Sequence, residues 1–266
     1  MNKNPKKASR QGGKSDIQRP KGYRTLFADD FSAYQENSYP DSWICEATCE
    51  LPYKQGFVSE GVFHIAPISP TNRHIPRTPD LANFKMQAEI SGNLFFGECI
   101  INIYFRYQTE QQKGLMLRYH WGITGNKTNY SQIEIPEYTC ELLQFSGKTD
   151  WERRQLSHEH FHLLARNVCK GFVKNLARPQ KFILEVHGPE LCLTHDRKVV
   201  GNFHIPDGVN LPGKGMIAFS REDMQGDLTL SKIRISAEPT PLPEKILRPE
   251  SKTEFPRALN GMISPF

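Results

Sequence analysis

Apolar residues fall at every second position through much of the chain. Phe84, Met86, Ala88 and Ile90 alternate with Lys85, Gln87 and Glu89. Ile101, Ile103, Phe105 and Tyr107 alternate with Asn102, Tyr104 and Arg106, and Leu115, Leu117, Tyr119 and Trp121 with Met116, Arg118 and His120. Ile133 and Ile135 alternate with Gln132 and Glu134. A period of two puts one face of a strand in a core and turns the other outward. The block from Lys181 to Ser236 continues the theme: KFILEVHGPELCLTHDRKVVGNF, a Pro/Gly-rich loop, KGMIAFS and GDLTLSKIRIS. Short alternating strands joined by tight turns predict an all-β, two-sheet antiparallel sandwich.

The departures from this pattern set the organisation. Residues 56–65 read as a hairpin, whereas Pro67 to Pro79 holds four prolines and reads as a loop. Residues 150–178 lose the alternation and carry longer charged stretches, which predicts a helical insertion of two or three turns. Residues 1–22, rich in Lys, Gly, Ser and Gln, predict a disordered basic arm. Residues 23–237 form the sandwich, and the proline-spaced stretch 238–266 an extended tail. The apolar pieces near Phe255–Leu259 and Met262–Phe266 suit docking on the body or on a protein partner.

Charge sharpens this division. The formal net charge of the 266-residue chain is +5, but residues 1–24 hold eight Lys/Arg against one acid, Asp16. The body is therefore slightly acidic, which argues against nucleic acid as its partner. No segment approaches the ~20 apolar residues of a membrane span. No apolar stretch follows the basic start, so a cytoplasmic location with its six cysteines reduced is expected. No zinc-like Cys spacing, nucleophile elbow, P-loop or dinucleotide fingerprint is present.

The order of LFADDFS, Trp43, GFVSEGVFHIA, FKMQAEI, INIYFRYQ, GLMLRYHWG, FILEVHGPELCLTHDRKVVGNF, GMIAFS and LTLSKIRIS resembles the concanavalin A-like lectin/glucanase superfamily over residues 23–237. The resemblance implies a jelly roll whose curved sheet binds carbohydrate. It also raises the expectation of a structural calcium, for which Asp29, Asp30 and Asp41 are the carboxylates at hand. The Glu-x-Asp-x-x-Glu strand of the superfamily's β-glucanases is missing.

A sugar site needs an aromatic platform for C–H faces and planar polar groups for hydroxyls. The outward faces of the central strands offer Tyr104, Arg106, Arg118 and His120, with Trp121 as a platform and Glu134 as the candidate acid or base. The same residues suit a solvated face with cross-strand salt links. His158, His160 and His162 converge on a metal if the segment is a strand and diverge if it is a helix. Three functions stay open: carbohydrate recognition, hydrolysis or lysis of an unusual glycoside through Glu134, and an assembly role through the arm and tail.

Overall fold

The computed structural model describes residues 22–46, 56–65, 72–93, 98–122, 138–146, 161–169, 178–221 and 227–238. Within them lie fifteen strands, assigned to two antiparallel sheets, and no helix. In chain order they are β1 (Arg24–Asp29), β2 (Trp43–Glu46), β3 (Phe57–Ser59), β4 (Val62–His64), β5 (Arg73–Pro76), β6 (Phe84–Asn93), β7 (Glu98–Gln108), β8 (Lys113–Gly122), β9 (Thr139–Ser146), β10 (Phe161–Val168), β11 (Gln180–His187), β12 (Glu190–His195), β13 (Lys198–His204), β14 (Met216–Arg221) and β15 (Asp227–Ala237). The first sheet runs β13-β12-β11-β6-β15-β4-β3, with β1 also on β15; the second runs β10-β9-β8-β7-β14-β5-β2.

The alternation read from the sequence builds the core. Phe84, Met86, Ala88 and Ile90 of β6 and Phe182, Leu184 and Val186 of β11 face Ile101, Ile103 and Phe105 of β7 and Leu115, Leu117 and Tyr119 of β8, all within one buried cluster. Each fully buried large apolar side chain is worth roughly 1.5–3 kcal/mol. Two polar groups enter this core and are satisfied there. The Tyr119 hydroxyl lies 3.1 Å from His195 Nδ1, while His195 Nε2 meets Gln180 Oε1 and its ring stacks on Phe182.

Three expectations change. Part of the stretch read as a helical insertion, Phe161–Val168, is strand β10 and pairs with β9. The proline-rich stretch read as a loop contains β5, all four residues of which are buried. Pro76 is tolerated because it ends that strand, facing Trp43, where a missing N–H breaks no ladder. Tyr107 lies outside the main core because β7 carries a bulge: the register with β8 shifts between Phe105 and Gln108, and Arg106 adopts φ of 50°. The extra residue turns Tyr107 onto the outward face with Tyr104. Gly114 and Gly215 leave room for it. A Cβ at Gly114 would sit 3.0 Å from the Arg106 carbonyl oxygen, and one at Gly215 would collide with backbone of Arg106 and lie 2.7 Å from Tyr107 N.

Candidate functional site

The outward face of the second sheet carries a polar row that crosses five strands. Ser220 on β14 faces Asn102 on β7, Asn102 faces Arg118 on β8, Arg118 faces Glu141 on β9, and Glu141 faces Arg166 on β10. Strand pairing alone places these side chains in register, since residues two apart on each strand share a face. Contacts then link them. Asn102 Nδ2 donates to Ser220 Oγ at 3.2 Å, and the Tyr104 hydroxyl lies 3.3 Å from the same oxygen. The Glu141 carboxylate accepts from Arg166 at 2.6 Å and 2.7 Å and faces an Arg118 nitrogen at 3.7 Å. Glu141 is buried, Arg118 is 17% exposed and Arg166 is 35% exposed, so the row opens toward solvent at its β10 end.

The neighbouring rows are of different character. On one side, Ala218, Tyr104, Met116, Leu143 and Leu163 face one another across the same five strands. Beyond them Tyr107, Phe145 and Phe161 extend the apolar patch. On the other side His120 faces Thr139, and Thr139 faces Val168. The face is thus a polar stripe between aromatic and aliphatic rows, with Ser220, Asn102, Tyr104, Met116, Leu143 and Phe145 all buried. Arg118 and Arg166 keep some solvent access, and Leu163 on β10 is exposed beside them.

A buried arginine anchors the far end. The Arg73 guanidinium lies 4.8–5.1 Å from the ring centres of Tyr104, Tyr107 and Phe145. It donates to the Tyr107 hydroxyl at 3.0 Å and pairs with Glu46 at 3.2 Å. Burial alone would lower its pKa, but Tyr104, Tyr107 and Glu46 together hold it above the usual arginine value. Burial pushes the Tyr107 phenol up in turn. This charge was not legible as part of the face because it sits among prolines.

The sequence candidates divide as follows. Tyr104, Arg118 and His120 lie together on this face, and Tyr104 and His120 are buried there. Arg106 does not join them. The bulge carries its guanidinium to the first sheet's β11–β12 turn, where it donates to the Gly188 carbonyl at 2.5 Å. Trp121 lies in β8, while its side chain, Glu134, His158 and His160 fall outside the described residues. His162 is exposed on β10, facing Gln144. Among the described residues no group of three or more His, Cys, Asp or Glu is placed to hold a metal ion. Nor is any helix there long and apolar enough to cross a membrane.

Sequence reasoning missed Glu141, Arg166, Ser220 and the Arg73–Glu46 pair. Glu141 carried a usable signal, since it stands between the core residues Cys140 and Leu142 in a short alternating run.

Asp29 does not fit a calcium ion, because both its oxygens face donors, whereas Asp30 is engaged through Oδ1 alone. Asp29 accepts from the Phe31 N–H at 2.9 Å, the Tyr34 hydroxyl at 2.9 Å, Ser42 Oγ at 2.9 Å and Trp43 Nε1 at 3.0 Å. Asp30 accepts from Ser32 N and Oγ. Those hydrogen bonds to Ser32 hold the Asp30 carboxyl below its ordinary value. Carboxylate oxygens already facing N–H and O–H donors are not free to ligate a cation.

No protein-family model and no curated protein sequence matches the chain. Solved structures do. The Emp47p carbohydrate recognition domain superposes with a TM-score of 0.51 at 13% identity, over 81% of this chain and 97% of that one. The VIP36 exoplasmic/lumenal domain, in a Ca2+/Man3GlcNAc-bound form, gives 0.54 at 11% identity, over 84% and 92%. The catalytic domain of an endo-1,3-beta-glucanase (laminarinase) from Thermotoga petrophila RKU-1 gives 0.52 at 9% identity, over 82% and 99%. The chain has the two-sheet fold of the concanavalin A-like lectin/glucanase superfamily.

Proposed function

We propose that this protein is a carbohydrate-recognition module that reads a glycan across the outward face of its second sheet. The observation that carries the reading is the Arg118–Glu141–Arg166 end of the polar row, which is partly open to solvent. Glu141 holds both guanidiniums in place beside each other, which lowers the ordering cost of engaging a glycan's vicinal hydroxyls. Similar structures that include two carbohydrate-binding lectin domains support a sugar as the ligand. Hydrolysis is the second reading, favoured by the likeness to a laminarinase. Against Glu141 as its acid stands its engagement by two arginines, Arg166 on one oxygen and Arg118 facing the other.

A glycan array followed by titration of the full chain tests this. Arg118→Ala should weaken the best glycan at least tenfold, whereas Arg106→Ala, bonded elsewhere, should leave affinity within twofold. Equal effects of the two substitutions, or none, would overturn the placement of the site.

A further inference from the structure

The outward face of the first sheet carries a cavity, on the opposite side of the molecule from the polar row. It measures about 600 Å³ and lies where the loop after β1 overhangs β15, β6 and β11. That volume is within the ~300–1,000 Å³ typical of small-ligand sites. Strand register builds its floor in two rows. In one, Lys232 on β15 faces Glu89 on β6, and Glu89 faces Lys181 on β11. Asp30 follows the end of β1, and Lys232 adds to the hydrogen bonds from Ser32 in holding that carboxyl below its ordinary value. In the other row Arg234 faces Gln87, and Ala28 faces Arg234 from β1.

Charge alternates here and cancels. Asp30, Lys232, Glu89 and Lys181 run negative, positive, negative, positive, and Asp29 and Arg234 complete a lining of three carboxylates and three cations. A charged group drawn to one member of the row is repelled by the next, about 5 Å away across the sheet. Net charge on a ligand therefore gains little. Hydroxyls differ, because each is both donor and acceptor. Several on one ring can donate to Glu89 and accept from Lys232 and Gln87 at once. The row is open to such a ligand. Farther along β6 and β11, Lys85 and Glu185 close to 2.6 Å as a cross-strand ion pair. Among the described residues Lys232, Glu89 and Lys181 form no such pair with one another. Tyr34 supplies an aromatic wall. Its hydroxyl donates to Asp29 Oδ2 at 2.9 Å and lies 2.6 Å from Ser42 Oγ, which fixes the ring at the cavity edge. A fixed aromatic ring beside unpaired donors and acceptors suits a sugar, with its C–H faces and hydroxyls.

We infer that this cavity binds the uncharged end of a saccharide, its hydroxyls shared among Lys232, Glu89, Arg234 and Gln87 and its C–H face against Tyr34. That the ligand is a saccharide rests on the reading given above; that it is neutral, and that it lies on the first sheet, rests on this cavity alone. The chain is then bivalent, with one sugar site on each face of the sandwich, and the two are separable by substitution.

The test uses the full-length protein titrated calorimetrically with neutral maltotetraose, cellotetraose and mannotetraose, and with tetragalacturonate as the acidic comparator. Wild type should take two equivalents of at least one neutral probe, the tighter at the Arg118 end of the polar row and the weaker in the cavity. Arg118→Ala should remove the tighter equivalent and Gln87→Ala/Arg234→Ala the weaker. Gln87 and Arg234 lie on the outward face, outside the core, so the fold should tolerate their replacement. The weaker equivalent should change less than about twofold between low and moderate salt, since it neutralises no net charge. Glu89→Lys breaks the alternation and should make tetragalacturonate the better cavity ligand by tenfold or more, with a preference that shrinks as salt rises. A single equivalent that Arg118→Ala removes would overturn the inference and leave the second-sheet site standing. A single equivalent lost only in Gln87→Ala/Arg234→Ala would instead refute the second-sheet site and leave this one. A wild-type preference for tetragalacturonate that disappears in Gln87→Ala/Arg234→Ala would overturn the neutral assignment, and binding of no neutral probe would overturn both sites.

Discussion

Gly215→Ala isolates the bulge that shapes the site. The added methyl meets backbone on every side: a carbonyl carbon of Arg106, and the N and O of Tyr107 at 2.7 Å. No rotamer change relieves such contacts, so the segment before β14 must move off β7. That movement pulls on the bridge to Leu81, where the Leu81 N–H donates to the Gly215 carbonyl at 2.8 Å and the Gly215 N–H to the Leu81 carbonyl at 3.1 Å. Overpacking costs about 1–3 kcal/mol, and each weakened backbone bond about 0.5–1.5 kcal/mol. Together the loss is about 2–6 kcal/mol, or a Tm decrease of about 4–24 °C in a domain of this size. Gly213→Ala is the matched control, since a Cβ there meets nothing within 4 Å. Differential scanning calorimetry of the two variants beside wild type decides the matter. Near-UV circular dichroism should also report altered packing of Tyr104 and Tyr107 in Gly215→Ala alone. A Gly215→Ala protein melting within 2 °C of wild type would refute the claim that the bulge fits only against glycine.

Three further outcomes follow from the same geometry. His74 is fully buried, against Phe63 and within 3.2 Å of the Tyr39 hydroxyl, and burial pushes its pKa down to about 3. The unfolded chain binds a proton between that value and the ordinary 6.5 that the folded chain refuses. Stability is therefore lost as pH falls through this window, by up to about 1.4 kcal/mol per pH unit. Urea titrations of wild type and His74→Gln should diverge in slope against pH, and parallel curves would contradict the assignment. Asp29→Ala removes the acceptor for four donors and should cost about 3 kcal/mol in the same assay; a loss below 1 kcal/mol would show that the turn holds without it. Glu141→Gln keeps the shape of the polar row but removes the charge that orders Arg118 and Arg166, so glycan affinity should fall about tenfold at nearly constant Tm; unchanged affinity would mean the arginines need no such fixing.

The alternation of Phe84–Ile90, Ile101–Phe105 and Leu115–Tyr119 was enough to place the central strands and the face each presents to the core. It failed where geometry depends on residues far apart in sequence. The bulge at Arg106 exists because Gly114 and Gly215 leave room for it, and neither lies next to Arg106 in the chain. An arginine pair expected on one face was therefore split, with Arg118 on the site and Arg106 at the sandwich end. Strand β10 was hidden because the period of two in LSHEHFHLLAR falls on histidines rather than on apolar residues. Arg73 was hidden for the opposite reason: prolines around it marked a loop, while its aromatic box assembles from β7 and β9. Tyr104 and Arg118 were legible because large polar side chains stood at the outward positions of strongly alternating strands.

Strand β15 has a consequence for how the molecule is made. It is the most C-terminal of the described strands, yet it lies inside the first sheet, with β6 along one edge and both β1 and β4 along the other. Until it emerges, β6 has one bare edge and β1 has no partner at all among the described strands. A chain growing from its N-terminus cannot close this sheet in stages. Long-range pairing of this kind folds slowly and exposes strand edges while it waits. Nascent chains arrested before residue 227 should accordingly stay protease-sensitive and prone to self-association, and resistance should arrive in a single step once β15 has left the ribosome.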